Sequence, residues 1–260
     1  MLRSRIIPCL LLHKGGLVKT RQFKDPKYVG DPLNAVKIFN EKEVDELMFV
    51  DIDATAEGYE PRMPLLRSLA VESRMPLCYG GGVTSAAQAS RIVATGFEKV
   101  SVSAAALARP ALIKEMSEAI GAQSVVVTID VKANRLFAGH TVYTHNGRQK
   151  HKQPLLEFCQ QAVSLGAGEI VINSIDRDGE MAGYDLELAR QVRAAIDTPM
   201  TMLGGAGSTE HMQGLIDAVG TVGAAAGSFF VFKGTYRAVL ISYPSAQQKD
   251  DIIYSALRAR

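Results

Sequence analysis

Pro76-Leu77-Cys78-Tyr79-Gly80-Gly81-Gly82-Val83-Thr84-Ser85 aligns without a gap on Pro199-Met200-Thr201-Met202-Leu203-Gly204-Gly205-Ala206-Gly207-Ser208, an offset of 123 residues. The same offset sets the run from Asp45 to Asp53 on that from Gly168 to Asp176. An offset of 119 sets Ile6–Leu11 on Val125–Asp130, and one of 124 sets Gly96–Ala104 on Gly220–Ser228. Four segments recur in the same order. The chain is therefore two tandem halves, and any fold assigned to it must explain that period.

Each half carries an apolar run that ends in glycines, followed by a helix-like segment and a second small-residue run. Glycine lets backbone N–H groups approach an anion closely, and a helix beginning just beyond adds the positive end of its dipole. A glycine-rich turn alone is more often only a turn. Two copies in register read as two phosphate grips: Gly81 and Gly82 with Ser103 and Ala104, and Gly204 and Gly205 with Gly227 and Ser228.

Between these landmarks, strands and helices alternate. Arg5 to Leu12 is a continuous apolar run of the kind buried on both faces in a parallel sheet. His13 to Val29 is basic and punctuated by glycine, and reads as a long working loop whose Lys19 could meet an anionic substrate. Asp31-Pro32 is a clean helix start, and further strands follow at Leu47–Ile52, Leu77–Gly80 and Lys99–Val102. In the second half the strands fall at Val125–Val131, Ile170–Asn173, Met200–Leu203 and Val222–Ala226. Leu136–Thr144 alternates like a hairpin with Asn146-Gly147 as its turn, a flap in which His140, His145 and His151 lack metal-ligand spacing. Eight strands alternating with helices in two matched halves predict a (β/α)8 TIM barrel, with residues 1–260 as one domain. The stretch from Arg237 to Tyr243 is apolar where a last helix belongs, and 246–260 reads as a short helix or a loose tail.

Composition narrows the function. A formal net charge of +2 over 260 residues implies no nucleic-acid partner, and 47% hydrophobic with 22% charged residues is ordinary globular usage. No run reaches the roughly 18 apolar residues of a membrane span. The start, Met1-Leu2-Arg3-Ser4-Arg5, leads into a run too short for a signal peptide. Three cysteines without metal or redox spacing predict free thiols in a reducing cytoplasm.

In such a barrel the chemistry sits at the carboxyl ends of the strands. Asp51, Asp130, Asn173, Asp176 and Asp178 fall there, between the two grips, which implies a substrate with two phosphates. Asp130 is the best acid–base candidate, because a carboxylate at the mouth of an apolar strand is desolvated and its pKa rises. Asp178, Gly179, Gly205 and Ser228 make up the second grip. No cofactor or metal site is expected.

These residues resemble a known family, the cyclase subunit of imidazole glycerol phosphate synthase. The resemblance is carried by Arg5-Ile6-Ile7-Pro8-Cys9-Leu10, Gly30-Asp31-Pro32, Gly80-Gly81-Gly82, Gly166-Ala167-Gly168-Glu169-Ile170, Ser174-Ile175-Asp176-Arg177-Asp178-Gly179 and Gly204-Gly205-Ala206-Gly207. It implies a heterodimer in which a partner glutaminase passes ammonia through the barrel to a phosphorylated substrate, which is cleaved and cyclised. It also implies a charged ring at the ammonia entrance, matched by Arg5, Glu46, Lys99 and Glu169 at strand starts, with the glutaminase docked over that face. The family's acid–base pair is two aspartates at the ends of strands one and five. Asp130 keeps one; Leu11 stands at the other, and the 119 offset independently sets Leu11 opposite Asp130. His13 is on the same side as Leu11 but ~7 Å further along. With Ser103-Ala104, Asn173 and Leu203 also departing from the family, the expectation is a divergent paralogue, of the kind that serves amidino-sugar synthesis for bacterial surface polysaccharides. The alternatives are the histidine-pathway cyclase itself and a non-catalytic, ammonia-conducting scaffold.

Overall fold

The computed structural model describes residues 3–134 and 139–258. Eight parallel strands close into a barrel: β1 (Arg5–His13), β2 (Leu47–Asp51), β3 (Leu77–Gly80), β4 (Lys99–Val102), β5 (Val125–Ala133), β6 (Glu169–Ser174), β7 (Met200–Leu203) and β8 (Gly223–Ala226). Neighbours pair in order, and β8 returns to β1 in the register Arg5↔Gly223 to Pro8↔Ala226. The outer ring is α1 (Pro32–Glu41), α2 (Met63–Glu72), α3 (Ala86–Val93), α4 (Ala111–Ile120), α5 (Leu155–Ser164), α6 (Leu186–Ala195), α7 (Thr209–Val219) and α8 (Ala246–Arg258). The expected (β/α)8 barrel is therefore what the chain forms.

Helix starts follow local chemistry. Asp31 accepts from Asn34 N at 2.9 Å and Pro32 occupies the first turn of α1. Ser85 and Ser208, 123 residues apart, cap α3 and α7 by accepting from Gln88 N and His211 N. The repeat reaches the backbone as well. Gly81 and Gly204 both have positive φ, and a Cβ on either would lie 2.4 Å from the Asp51 carbonyl oxygen or 2.7 Å from that of Ser174. Asp51 and Ser174 are themselves 123 positions apart. In both halves glycine is required because the preceding strand end crosses too close for a side chain.

Three segments differ from the sequence reading or complete it. Residues 13–29 are no loop. Gly16–Arg21 pairs antiparallel with the end of β1, and Lys24–Gly30 pairs antiparallel with Gly16–Arg21. Positive φ at Lys14, Gly15, Gln22 and Phe23 makes the two turns, and only Lys14-Gly15 advertises one in residue type. The flap forms as His140–Thr144 on β5, with the Asn146-Gly147 turn leading into Gln149–Lys150; Leu136 to Ala138 of that expectation lie outside the described residues. After β8, Phe232–Lys233 pairs with Ala238–Val239. Ser245 and Gln248 then start α8 as a capping box, and Ile252 and Ile253 are buried in the main core. Tyr243 Oη donates to the Ile6 carbonyl at 2.8 Å and accepts from Asp45 N, while Lys249 pairs with Asp45 at 2.9 Å. The last segment thus straps the seam between β1 and β2.

Inside the barrel, strand alternation turns Ile7, Cys9, Met48, Cys78, Val126, Val171 and Ala225 inward as a core separate from the helix-facing one. Gly223 belongs to this interior: a Cβ there would stand 1.8 Å from Thr201 Oγ1 and 3.1 Å from Ile7 Cδ1. Thr201 is in turn held by its bond to Glu169, so it has no easy alternative rotamer. Gly223→Ala is expected to cost about 1–3 kcal/mol by overpacking, a drop of several degrees in Tm readable by calorimetry.

Candidate active site

The carboxyl ends of the strands open on a cavity of about 500 Å³. Beside it lies a pocket of about 30 Å³, room for one or two waters. Leu11, Asn173 and Leu203 line both. The larger holds Gly81, Gly82, Ser103, Ala104 and Asp130; the smaller holds Lys19, Asp178, Gly179, Gly204, Gly205, Gly227 and Ser228. The two glycine-rich halves face the same mouth, with Asp130 and Asn173 between them.

Asp130 accepts from Asn173 Nδ2 at 2.9 Å. Burial pushes its carboxyl up to about 7; the Asn173 bond opposes this and nearby Asp178 adds to it. A carboxyl poised there can both give and take a proton near neutrality. Leu11, on the opposite wall four strands away, carries no such group. His13 does not stand in for it, because its Nδ1 is tied to Asp53 at 2.7 Å and Asp53 also accepts from Lys14 N.

The ribbon after β1 lies over the second pocket. Thr20 Oγ1 donates to Asp178 at 2.6 Å, Phe23 N donates to the same carboxylate, and Arg21 grips Glu180 through two bonds. Burial raises the Asp178 pKa, with the Thr20 and Phe23 bonds and Lys19 pulling it back. Lys19 is 5% exposed and its ammonium donates to the Cys9 carbonyl. Burial pushes its pKa down, although Cys9 and Asp178 resist. Lys19, expected on a loop, is thus delivered to the second grip by a strand.

Asp51, expected as a substrate ligand, is held within the loop that follows its strand. Its carboxylate accepts from Asp53 N, Ala54 N and Tyr59 Oη and pairs with Arg62 at 3.2 Å. The side chain is 1% exposed, so Asp51 organises the loop after β2 while the residue also lines the large cavity. Asp176 is occupied too, accepting from Ala133 N. Sequence reasoning missed Arg237, whose guanidinium reaches the Gly179 carbonyl at 3.3 Å and Ser228 Oγ at 3.5 Å while lying over the Phe232 ring. It missed Asn146 as well, which donates to the Ile52 carbonyl from the flap and brings His145 into the cavity wall. Asn146-Gly147 advertised a turn, and nothing in residue type said what the turn would cover.

At the amino-terminal face, Arg5, Glu46, Lys99 and Glu169 close into a ring of ion pairs. Arg5 bonds Glu46 and, at 2.7 Å, Glu169; Lys99 bonds Glu46 at 2.7 Å and Glu169 at 2.8 Å. Burial alone would raise the Glu169 pKa, but Arg5 and Lys99 outweigh it and hold the carboxyl at about 2. The three cysteines are free and buried, and burial pushes the Cys9 thiol up to about 11. Among the described residues no cluster suits a metal ion, and no helix is long and apolar enough to cross a membrane.

Residues 5–237 match the family model described as histidine biosynthesis protein. A relative from Vibrio vulnificus, provisionally named imidazole glycerol phosphate synthase subunit hisF3, is 52% identical and covers 96% of each chain. One from Leptospira borgpetersenii, provisionally named subunit HisF of the same synthase, is 51% identical over 96% of this chain and 98% of its own. The imidazole glycerol phosphate synthase subunit HisF of Lysinibacillus sphaericus is 40% identical over 95% of this chain and 98% of its own.

Asp130 has a consequence for stability. Its native pKa lies above the ordinary carboxylate value, so between about pH 4 and 7 the folded chain holds a proton that the unfolded chain has released. This contribution to stability is full below the unfolded pKa and is lost as pH rises through the folded one. Asp130→Asn keeps the shape without the charge. Relative to native protein its stability should climb from pH 4 to pH 8, by ~4 kcal/mol at most, in denaturant titrations at the two pH values.

Proposed function

The chain belongs to the histidine biosynthesis protein family, and on that premise we propose that it is the cyclase-type subunit of a glutamine amidotransferase complex. In this reading it takes ammonia from a partner glutaminase and adds it to a phosphorylated acceptor other than the histidine-pathway substrate. The observation that carries the reading is the pairing of Asp130, buried and poised near neutrality, with Leu11 across the same cavity. Closing a ring while cleaving the substrate asks for proton transfer on two sides. One positioned acid or base is worth about 10²–10⁴-fold in rate, and Leu11 can move no proton. Adding ammonia to a single electrophilic centre asks for less, and Asp130 alone can relay that proton. An acceptor on the way to an amidino sugar of a surface polysaccharide meets these conditions.

The ring of Arg5, Glu46, Lys99 and Glu169 supports the ammonia route. Four charges cancel one another at the strand starts, where a barrel otherwise has apolar or solvated ends. The cyclase subunits that the chain resembles use such a ring as an entrance beneath the docked glutaminase, and this face is assigned that role here. The histidine-pathway cyclase is the second reading, favoured by the retained Asp130 and the second glycine grip.

The experiment is turnover of the histidine-pathway substrate, with ammonia or with the cognate glutaminase and glutamine. Activity at least about 10²-fold below that of an authentic cyclase subunit is expected, and activity within about tenfold would overturn the altered-acceptor reading in favour of the second one. The ring is tested separately. Lys99→Ala and Glu169→Ala, checked for folding by Tm, should lower glutamine-dependent but not ammonia-dependent turnover; equal effects on both sources would remove the entrance role.

A further inference from the structure

Single apolar side chains left in water need no explanation, but a gathering of them does. Among the described residues six large ones are exposed: Tyr28, Val71, Leu156, Tyr236, Val239 and Leu240. Tyr236, Val239 and Leu240 fall within five residues, on and just after the hairpin that pairs Phe232–Lys233 with Ala238–Val239. Tyr28 is on the ribbon strand Lys24–Gly30, and its neighbour Lys27 holds its ammonium 5.3 Å from the centre of the Phe232 ring. Ribbon and hairpin therefore meet, and four of the six side chains belong to them. Tyr236, in the hairpin's turn, is 97% exposed, so the fold gains almost nothing from its ring.

The cations around these side chains form two sets. Arg21 is bound by Glu180, and Arg237 turns back to Gly179, Ser228 and the Phe232 ring. Lys24, Lys27 and Lys233 are exposed and, among the described residues, bond to no carboxylate. Asp25 is the one acid between the first two. Lys24, Pro26 and Lys27 also guard an edge, since the strand Lys24–Gly30 pairs on one side only. Edge protection accounts neither for Lys233 nor for a tyrosine, a valine and a leucine held in water beside it.

We propose that this corner of ribbon and hairpin docks on an anionic membrane surface, with Tyr236, Val239 and Leu240 in the interfacial layer and the three lysines against lipid head groups. Tyrosine is favoured at that depth, and lysine can lay its stem on apolar surface while its ammonium stays at the head groups. Anionic lipid attracts such a surface by charge and holds it by apolar burial. A second copy of the chain is a poorer occupant, because a symmetric contact sets the patch against itself, lysine facing lysine. Nucleic acid would engage the lysines but gain little from valine and leucine, which offer no ring for a base to stack on. The contact is peripheral, for no helix among the described residues is long and apolar enough to cross a membrane. It is independent of the ammonia acceptor and is measured without turnover.

The chain contains no tryptophan, so Tyr236→Trp in the full chain places a single emission reporter on the hairpin, at a side chain the fold does not bury. The variant is mixed with vesicles of phosphatidylcholine alone or with phosphatidylglycerol added. Its emission should move to the blue on the mixed vesicles only, and added salt should reverse the shift. Lys27→Glu combined with Lys233→Glu should weaken partitioning by at least about tenfold. Val71 is 87% exposed but belongs to α2, so Val71→Trp should show no shift. An unmoved Tyr236→Trp spectrum on mixed vesicles, an equal shift from Val71→Trp, or undiminished partitioning of the lysine variant would overturn the proposal. A blue shift on poly-glutamate with none on vesicles would overturn it in favour of an acidic protein face. None of these outcomes bears on the acceptor reading.

Discussion

A strand's period of two decides what the inside of this barrel contains. Arg5, Ile7, Cys9 and Leu11 leave β1 on the same side, and the seven other strands contribute in the same rhythm. The axis therefore runs from a plug of mutually cancelling charges, through a sleeve of valine, methionine, cysteine and alanine, to the mouth where Asp130 and Asn173 meet. Burying four charges is costly unless each finds its partners. Here every acid bonds both bases and every base bonds both acids, so the plug is stable as a unit and intolerant of piecemeal change. The low polarity of the sleeve above it desolvates Asp130 and brings its titration near neutrality.

The repeat explains why the carboxyl face has two similar corners, and its imperfections explain why those corners do different things. Backbone requirements have been kept in both halves: the Gly81 and Gly204 close approaches and the Ser85 and Ser208 caps serve the fold itself. Side chains that meet a ligand have drifted apart. Leu11 against Asp130 and Ala104 against Ser228 are the two clearest cases, and both fall where packing does not dictate the residue.

Much of this was legible in the residues. Eight strands and most helix starts follow from apolar runs, glycine breaks and caps, because those signals are local. The two grips and the four charges of the ring were legible through repetition and resemblance. The ribbon over 16–30 was not, since Gln22-Phe23 gives no sign of the left-handed turn it makes and the strand is recognised only by its partner. Asp51 read as a strand-end carboxylate, and nothing in residue type showed that the amides of Asp53 and Ala54, Tyr59 and Arg62 would fold back on its two oxygens. Arg237 escaped because 58 residues separate it from Gly179, which it touches.

The strap formed by Tyr243, Lys249 and α8 bears on how the molecule is made. It clasps the carbonyl of Ile6 and the loop at Asp45, close to the chain's beginning. During synthesis the first strands emerge long before β8 and the strap exist. Until β8 pairs with it, β1 is an open edge, with unpaired amides of the kind that join to other chains. A chain cut short before Tyr243 would still carry β8 to cover the edge of β1, but it would lack the clasp between β1 and the loop before β2.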